Sequence, residues 1–341
     1  MNPQVSAKPV RVGLVGYGGA FKMGMYHHNF MVEAGVFETV AVCDVDPACL
    51  AQAKADFGEH IRTYRSLGRM LAADLVDMCV IITPHNTHYK LAVQCLQAGK
   101  HVVVEKPMCI TYAEAMGMIE AARKHDRMLS VFHNRRWDGQ YLTIKKCLAD
   151  GLLGDIFHIE AFHGGFSKPR DWWRSIKKIS GGSFYDWGAH FLDWTLGLVP
   201  EAKMVGVTGF YHENVVWKNC TNEDQAQVLI RFDTGCVADV QMSEIAYVPR
   251  ATWRILGTKG AIEDWWRDSL TVHTQVKGYP AKMEIKYQEG RWADYYRNIG
   301  DHLTKGAELI VKPEQSARTI AIMECAEKSA KQGQTLKPPC P

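Results

Sequence analysis

The sequence predicts an α/β protein of two domains: a doubly wound parallel sheet, then an α/β domain with an open, mostly antiparallel sheet. Three observations predict it. Over the first 130 residues or so, short apolar runs alternate with helical stretches, the pattern of parallel strands covered on both faces. From Phe132 onward the strand-like runs follow one another, separated by turn residues, as in antiparallel sheets. With 341 residues, 47% hydrophobic and 23% charged, the chain exceeds one ordinary core and keeps a globular composition. The expected domains are 1–131 and 132–341, with the C-terminal helix at 313–331 packing back toward the first.

Each element has its own signal. "VRVGLV" (10–15) is a short β-rich run ending in glycines, a helical stretch follows to Ala34, and "ETVAVCD" (38–44) is strand-like again. Asp46 and Pro47 lead in the next helix, because an Asp N-cap followed by proline satisfies the first turn. "VDMCVIIT" (76–83), a helix from Asn86 to Ala98, "HVVVEK" (101–106) and a helix opened by Thr111 complete the first half. In the second half, a helix carrying "GGSFYDWGAHFLDW" (181–194) precedes strand-like runs at 203–211, 225–233, 236–245 and 251–257.

Composition excludes several classes of function. A formal net charge of +3 gives no global reason to bind nucleic acid or an anionic membrane surface. The ten cysteines form no C-x-x-C pair, and several lie inside apolar runs, so no metal site is expected. With no signal peptide and no apolar stretch long enough to span a bilayer, the expected compartment is the reducing cytoplasm.

"GLVGYGGAF" places Gly16, Gly18 and Gly19 between a strand and a helix, where bare backbone can approach a pyrophosphate and a helix N-terminus supplies unpaired N–H groups. Phe21 stands where G-x-G-x-x-G has its third glycine. Asp44 ends the second strand, where a carboxylate can accept both adenosine ribose hydroxyls. An acid there repels a 2′-phosphate, and no Arg directly follows it in "DVDPA". The expected cofactor is therefore NAD, bound by a Rossmann domain.

The stretch "GGSFYDWGAHFLDW" raises a separate question, because Asp186, His190 and Asp193 are costly in an apolar helix unless partnered. Spacings of four and seven put them on one helical face, beside an aromatic stripe of Trp187, Phe191 and Trp194. Together with "TPHNTHYKLAVQCLQAGKHVVVEKP" (83–107) and "VFHNRRWDGQY" (131–141), this stretch resembles the Gfo/Idh/MocA oxidoreductases, the glucose-fructose oxidoreductase and inositol dehydrogenase group. The resemblance covers almost the whole chain. It implies that Lys106 of E-K-P is the active-site lysine, that a cis peptide precedes Pro107, and that Asp186 and His190 are the D-x-x-x-H pair. The cofactor contacts expected are Gly16, Gly18, Gly19, Ala20, Phe21 and Asp44, with Thr83, Pro84, His85 and His88 after one strand and Glu105 and Lys106 after the next.

These residue types suit hydride transfer. Oxidising a secondary alcohol releases a hydride and a proton, so the protein must supply a base and a positive group for the developing alkoxide. His190 is expected as base, Lys106 as electrostatic stabiliser or relay, and Asp186 as orienting partner, with Asp193 structural. Trp172 and Trp173 in "SKPRDWWRSIKKISGG" (167–182) offer flat apolar faces for a sugar ring; the other reading is a solvated basic loop. Arg136, next to Arg135 at the domain junction, is the expected inward residue of that pair and is expected to line the substrate cleft with Lys106, Asp186 and His190; the other reading pairs these arginines with surface acids. The expected function is NAD-dependent oxidation or reduction at a ring hydroxyl of a small-molecule sugar, glycoside or cyclitol. Its rivals are an NAD-dependent glycosidase working by transient oxidation at C3, and a non-catalytic sugar or dinucleotide sensor on the same fold. A homodimer or homotetramer is expected through the C-terminal sheet, whose runs "QVLIRF" and "VADVQM" are expected to place apolar side chains on its uncovered face.

Overall fold

The computed structural model describes residues 8–18 and 21–340, which form two compact units. The first takes the chain up to Cys109, then Ala113–Asn134, then Trp292–Glu314. Its six strands are β1 (Val10–Val15), β2 (Phe37–Cys43), β3 (Arg62–Tyr64), β4 (Met78–Ile81), β5 (His101–Val104) and β6 (Leu129–Val131). They pair in parallel in the order β3-β2-β1-β4-β5-β6. Helices α1 (Met23–Ala34), α2 (Pro47–Phe57), α3 (Leu67–Ala72), α4 (His88–Gln97) and α5 (Tyr112–Lys124) run between them. All four residues of β4 and Val102–Val104 of β5 are buried, as central strands covered on both faces require. Local chemistry sets the helix ends. Asp46 accepts the Ala48 N–H at 2.9 Å with Pro47 following, and Gly35, at φ 79°, ends α1.

The strand order reverses between β1 and β4, and ligands of such sheets bind in the crevice at this switch point. It brings the end of β4 against the end of β1, where the Ile82 N–H donates to the Val15 carbonyl at 2.7 Å.

The second unit takes Ile110–Tyr112, Arg135–Arg291 and Gln315–Pro341. It contains α6 (Gly139–Ala149), the short α7 (Lys177–Ser180), α8 (Trp187–Leu198) and eight strands. The strands are β7 (Ile156–Gly164), β8 (Met204–Glu213), β9 (Glu223–Phe232), β10 (Val237–Ser243), β11 (Trp253–Gly257), β12 (Gly260–Asp264), β13 (Ser269–Val276) and β14 (Tyr279–Lys286). They form one sheet, β14-β13-β12-β11-β7-β10-β9-β8, antiparallel except for β7 with β10. The fold class is the one the sequence predicts. Two later helices divide between the units: α9 (Asp294–Lys305) belongs to the first, and α10 (Pro313–Gln332) to the second from Gln315 onward. The segment 292–314 thus joins the first unit, although its position in the sequence puts it among residues of the second.

One expectation about the second sheet needs correction. In β9 and β10 most of the apolar side chains, Val228, Ile230, Phe232, Ala238, Val240 and Met242, take the buried face, and Leu229 and Val237 alone of these runs lie half-buried on the other. The opposite face carries Gln227 and Gln241, whose amides bond Asp239 at 3.0 and 2.8 Å. Alternation along each strand sends the larger apolar share to the face that the helices of the unit cover, and leaves the other face mixed.

Candidate active site

In the first unit the turn after β1 needs glycine for two separate reasons. Gly16 has φ 89°, and a Cβ there would lie 2.5 Å from the Ile82 carbonyl oxygen. A Cβ on Gly18 would lie 2.2 Å from Cys49 Sγ. The backbone of this turn is therefore kept bare at both positions, the geometry that a pyrophosphate cradle would require. Gly19 and Ala20 lie outside the described residues. Phe21 is exposed, and α1 begins only after Lys22, which is left-handed at φ 50°. Phe21 thus precedes the helix, and the close packing that a third glycine permits falls to Gly24, where a Cβ would sit 2.6 Å from the Tyr17 ring. Sequence reasoning missed Gly24 because the longer turn shifts it out of the G-x-G-x-x-G spacing.

Asp44 hangs over this turn. Its Oδ2 accepts the N–H groups of Tyr17 at 2.8 Å and Gly18 at 3.3 Å, and its Oδ1 accepts that of Asp46 at 2.9 Å. After β4, the Thr87 hydroxyl contacts that of Thr83 at 2.7 Å and the Pro84 carbonyl at 2.6 Å, next to His85 at the start of a 3-10 turn. His88 is wholly buried, with ring nitrogens 2.8 Å from the Thr83 carbonyl and 2.9 Å from that of Pro107. Burial pushes its pKa down. Its ring ties the β4 end to the E-K-P turn, with both nitrogens against backbone carbonyls, whereas the sequence reading placed it among the cofactor contacts.

The E-K-P turn follows β5, and the Lys106–Pro107 peptide is cis. Glu105 organises it: one carboxylate oxygen accepts the Lys106 N–H at 3.0 Å, the other meets His27 Nε2 at 3.0 Å, and His27 Nδ1 lies 2.7 Å from the Tyr296 hydroxyl. Burial, the largest single effect, pushes the Glu105 carboxyl up. The His27 bond, the His27 charge and Lys106 together carry it below its ordinary value. His27 is another residue that sequence reasoning missed, since a histidine inside a helix gives no sign of a partner 78 residues away.

In the second unit the double glycine of the opening motif is a tight turn, with φ 89° at Gly181 and 130° at Gly182. A Cβ on Gly182 would lie 2.7 Å from a carboxylate oxygen of buried Glu223, which accepts the Phe184 N–H at 2.8 Å. The turn delivers Asp186 to the residue before α8, so Asp186 is outside the helix that its spacing suggested. Its carboxylate accepts from Arg174 Nη1 at 2.8 Å. The Arg174 guanidinium lies 5.3 and 5.1 Å from the ring centroids of Trp172 and Trp173, so both rings steady this arginine.

His190 is buried in the first turns of α8, its ring 5.6 Å from that of Trp187 and 6.0 Å from that of Trp194. Asp193 is also buried and takes both ends of Arg136, at 2.8 and 2.6 Å, while Arg136 Nη1 donates to Gln315 at 2.9 Å. Arg136 is thus an inward residue, and its guanidinium is engaged by Asp193 and Gln315, whereas the sequence reading expected it to meet substrate. Its neighbour Arg135 lies with its guanidinium 4.8 Å from the centroid of Trp187. Among the described residues no group of three or more His, Cys, Asp or Glu side chains is arranged to hold a metal ion.

Two family models match the chain: the NAD-binding Rossmann fold of an oxidoreductase family, Gfo/Idh/MocA, over residues 10–133, and its C-terminal alpha/beta domain over 145–337. The chain belongs to the Gfo/Idh/MocA oxidoreductase family. Membership of this family makes it an NAD-binding oxidoreductase. It is 28% identical to scyllo-inositol 2-dehydrogenase (NADP(+)) IolW of Bacillus subtilis (strain 168), over 96% of this chain and 95% of that protein. It is 25% identical to the myo-inositol 2-dehydrogenase of Thermotoga maritima, over 96% and 98%. Among solved structures it is similar to an NAD-binding protein from Listeria innocua, at 28% identity and a TM-score of 0.84 over 97% of each chain.

Proposed function

We propose that this Gfo/Idh/MocA chain transfers hydride between NAD and a ring hydroxyl or ketone of a sugar, glycoside or cyclitol. The observation that carries the reading is the start of α8, where Arg174 holds the Asp186 carboxylate at 2.8 Å four residues before buried His190. NAD, when bound, supplies the hydride acceptor. The bare backbone at Gly16 and Gly18 fits its pyrophosphate, and Asp44 fits the adenosine ribose. In this reading His190 takes the hydroxyl proton, Asp186 orients the histidine or the hydroxyl, and Lys106 lowers the energy of the alkoxide through its ammonium. The anchoring of Glu105 by His27 and by the Lys106 N–H fixes the backbone from which that ammonium projects. Relatives named as inositol dehydrogenases support a cyclitol or similar ring.

The same reading places the protein in the cytoplasm, with support from ten cysteines that are all free. It also pairs two copies through the half-exposed face of the second sheet, which light scattering at micromolar concentration tests; a monomer would contradict it.

The test of the catalytic reading is kinetic. Lys106→Ala and His190→Ala should each lower turnover by roughly a hundredfold or more, the scale of a lost acid/base or charge-stabilising group, and leave NAD affinity nearly unchanged. Near-normal turnover in either variant would remove that residue from the mechanism.

A further inference from the structure

Beside His190 the second unit carries a group of aromatic rings that the reaction itself does not require. Three are buried, Phe191, Trp194 and Trp253, with centroid separations of 5.2 to 6.0 Å. On them stand three half-buried rings, those of Trp187, Trp266 and His163. Trp266 meets Trp187 edge-on at 5.2 Å and lies 5.9 Å from Trp194 and 6.0 Å from His163; His163 lies 4.6 Å from Trp187. Trp187 in turn reaches His190 at 5.6 Å. Large apolar rings left partly open next to a proposed catalytic base provide an apolar surface with a polar edge, which suits the C–H face of a ring whose hydroxyls lie around its rim.

The backbone beneath Trp266 is held at some cost. Trp266 lies in the turn between β12 and β13 with φ 50°, a left-handed conformation rare for a bulky residue. What holds it is Asp264, a carboxylate with no exposed surface. Asp264 accepts from the Trp266 N–H, from Gln140 Nε2 and from the Tyr287 hydroxyl. Burial pushes the Asp264 carboxyl up, and the three donors only partly offset it. A wholly buried carboxylate and a left-handed tryptophan are both unfavourable taken singly, and both serve to fix one indole ring.

We propose that Trp266, with Trp187 and His163, forms the ring-binding wall of the substrate site, and that Asp264, Gln140 and Tyr287 are positioning residues for Trp266. Such a wall would receive the apolar face of the polyol ring already proposed as substrate. This inference rests on the dehydrogenase reading above.

The test uses the full chain with NAD and a panel of methyl pyranosides, myo-inositol and scyllo-inositol, followed at the nicotinamide absorbance. For the best substrate of the panel, Trp266→Ala should raise KM about tenfold, the scale of one lost aromatic contact. kcat should change less than threefold and NAD affinity should stay the same. Trp266→Phe should recover most of the loss, and Trp265→Ala, at an exposed neighbour, should leave KM unchanged. Tyr287→Phe, a milder change should Trp266→Ala fail to fold, should raise KM two- to threefold with kcat unmoved. A KM within threefold of the parent for Trp266→Ala, or a lower melting temperature without a KM change for Tyr287→Phe, would overturn the wall. No nicotinamide turnover with any ring compound would instead overturn the dehydrogenase reading and the wall with it.

Discussion

The candidate sites of the two units are built by different means. In the first, the turn after β1 works through what is missing: Gly16 and Gly18 leave backbone bare because any Cβ would strike a carbonyl or a thiol. In the second, the start of α8 works through side chains that grip one another, Arg174 on Asp186 and Arg136 on Asp193. Backbone sites depend on local turn geometry and are read from short motifs. Side-chain sites depend on partners brought from far along the chain, 57 residues away for Arg136 and Asp193.

The contrast can be broken at its strongest point. Arg136→Ala leaves the Asp193 carboxylate buried without its bidentate partner, and such half-broken buried pairs cost about 3–5 kcal/mol. Chemical denaturation should show that loss, and Arg136→Lys should recover only part of it, because an ammonium cannot reproduce the two-pronged geometry. A loss under about 1 kcal/mol would make the pair dispensable and weaken the contrast.

A smaller effect is expected at the first unit's cofactor turn. If Asp44 selects between cofactors by repelling a 2′-phosphate, NAD(H) should bind more tightly than NADP(H), with Asp44→Ser narrowing the gap by about tenfold, or ~1.4 kcal/mol. Calorimetry decides it. One relative carries NADP(+) in its name, so equal or tighter NADP(H) binding by the parent would place this chain with that relative and refute the role given to Asp44.

The smallest effect is a difference in sign between two glutamates, the half-buried Glu105 and the fully buried Glu223. Glu105, in the first unit, has its folded pKa below the ordinary value, so its contribution is full above that value and is lost as pH falls through the lowered one. Glu223, in the second, has its pKa raised by burial, so its contribution is full below the ordinary value and is lost as pH rises through the raised one. Between pH 4 and pH 7, Glu105→Gln should therefore flatten the rise in melting temperature with pH. Glu223→Gln should steepen it. Shifts of the same sign in both variants would mean that the two environments do not differ as described.

How much of this was legible in the sequence follows the same division. The parallel sheet followed by a mostly antiparallel one, the cis Lys106–Pro107 peptide and the glycine turn after β1 were readable, since each depends on residues close in sequence or on a motif. Gly24 was not, because the extra residues before α1 displace it from the fingerprint. The spacing of Asp186, His190 and Asp193 predicted one polar stripe, but Asp186 precedes the helix, and Arg174 and Arg136 hold the two acids separately. Nothing in "DWWRD" (264–268) marks Trp266 as left-handed, because the cause is a carboxylate whose other partners, Gln140 and Tyr287, lie on distant elements. The apolar runs of β9 and β10 were read for composition, whereas alternation turns most of their apolar side chains toward the helices and leaves Leu229 and Val237 on the other face.

The most direct test of the central claim follows the hydrogen itself. The best ring substrate is prepared with deuterium on each ring carbon in turn and incubated with the full chain and NAD, and the nicotinamide is analysed by mass spectrometry. Hydride transfer from a ring carbon predicts that label at one position, and only one, appears in NADH with a stoichiometry near one, alongside a stable keto product. NADH without label from any ring carbon would contradict that account, as would cleavage of a glycoside in large excess over the NADH formed.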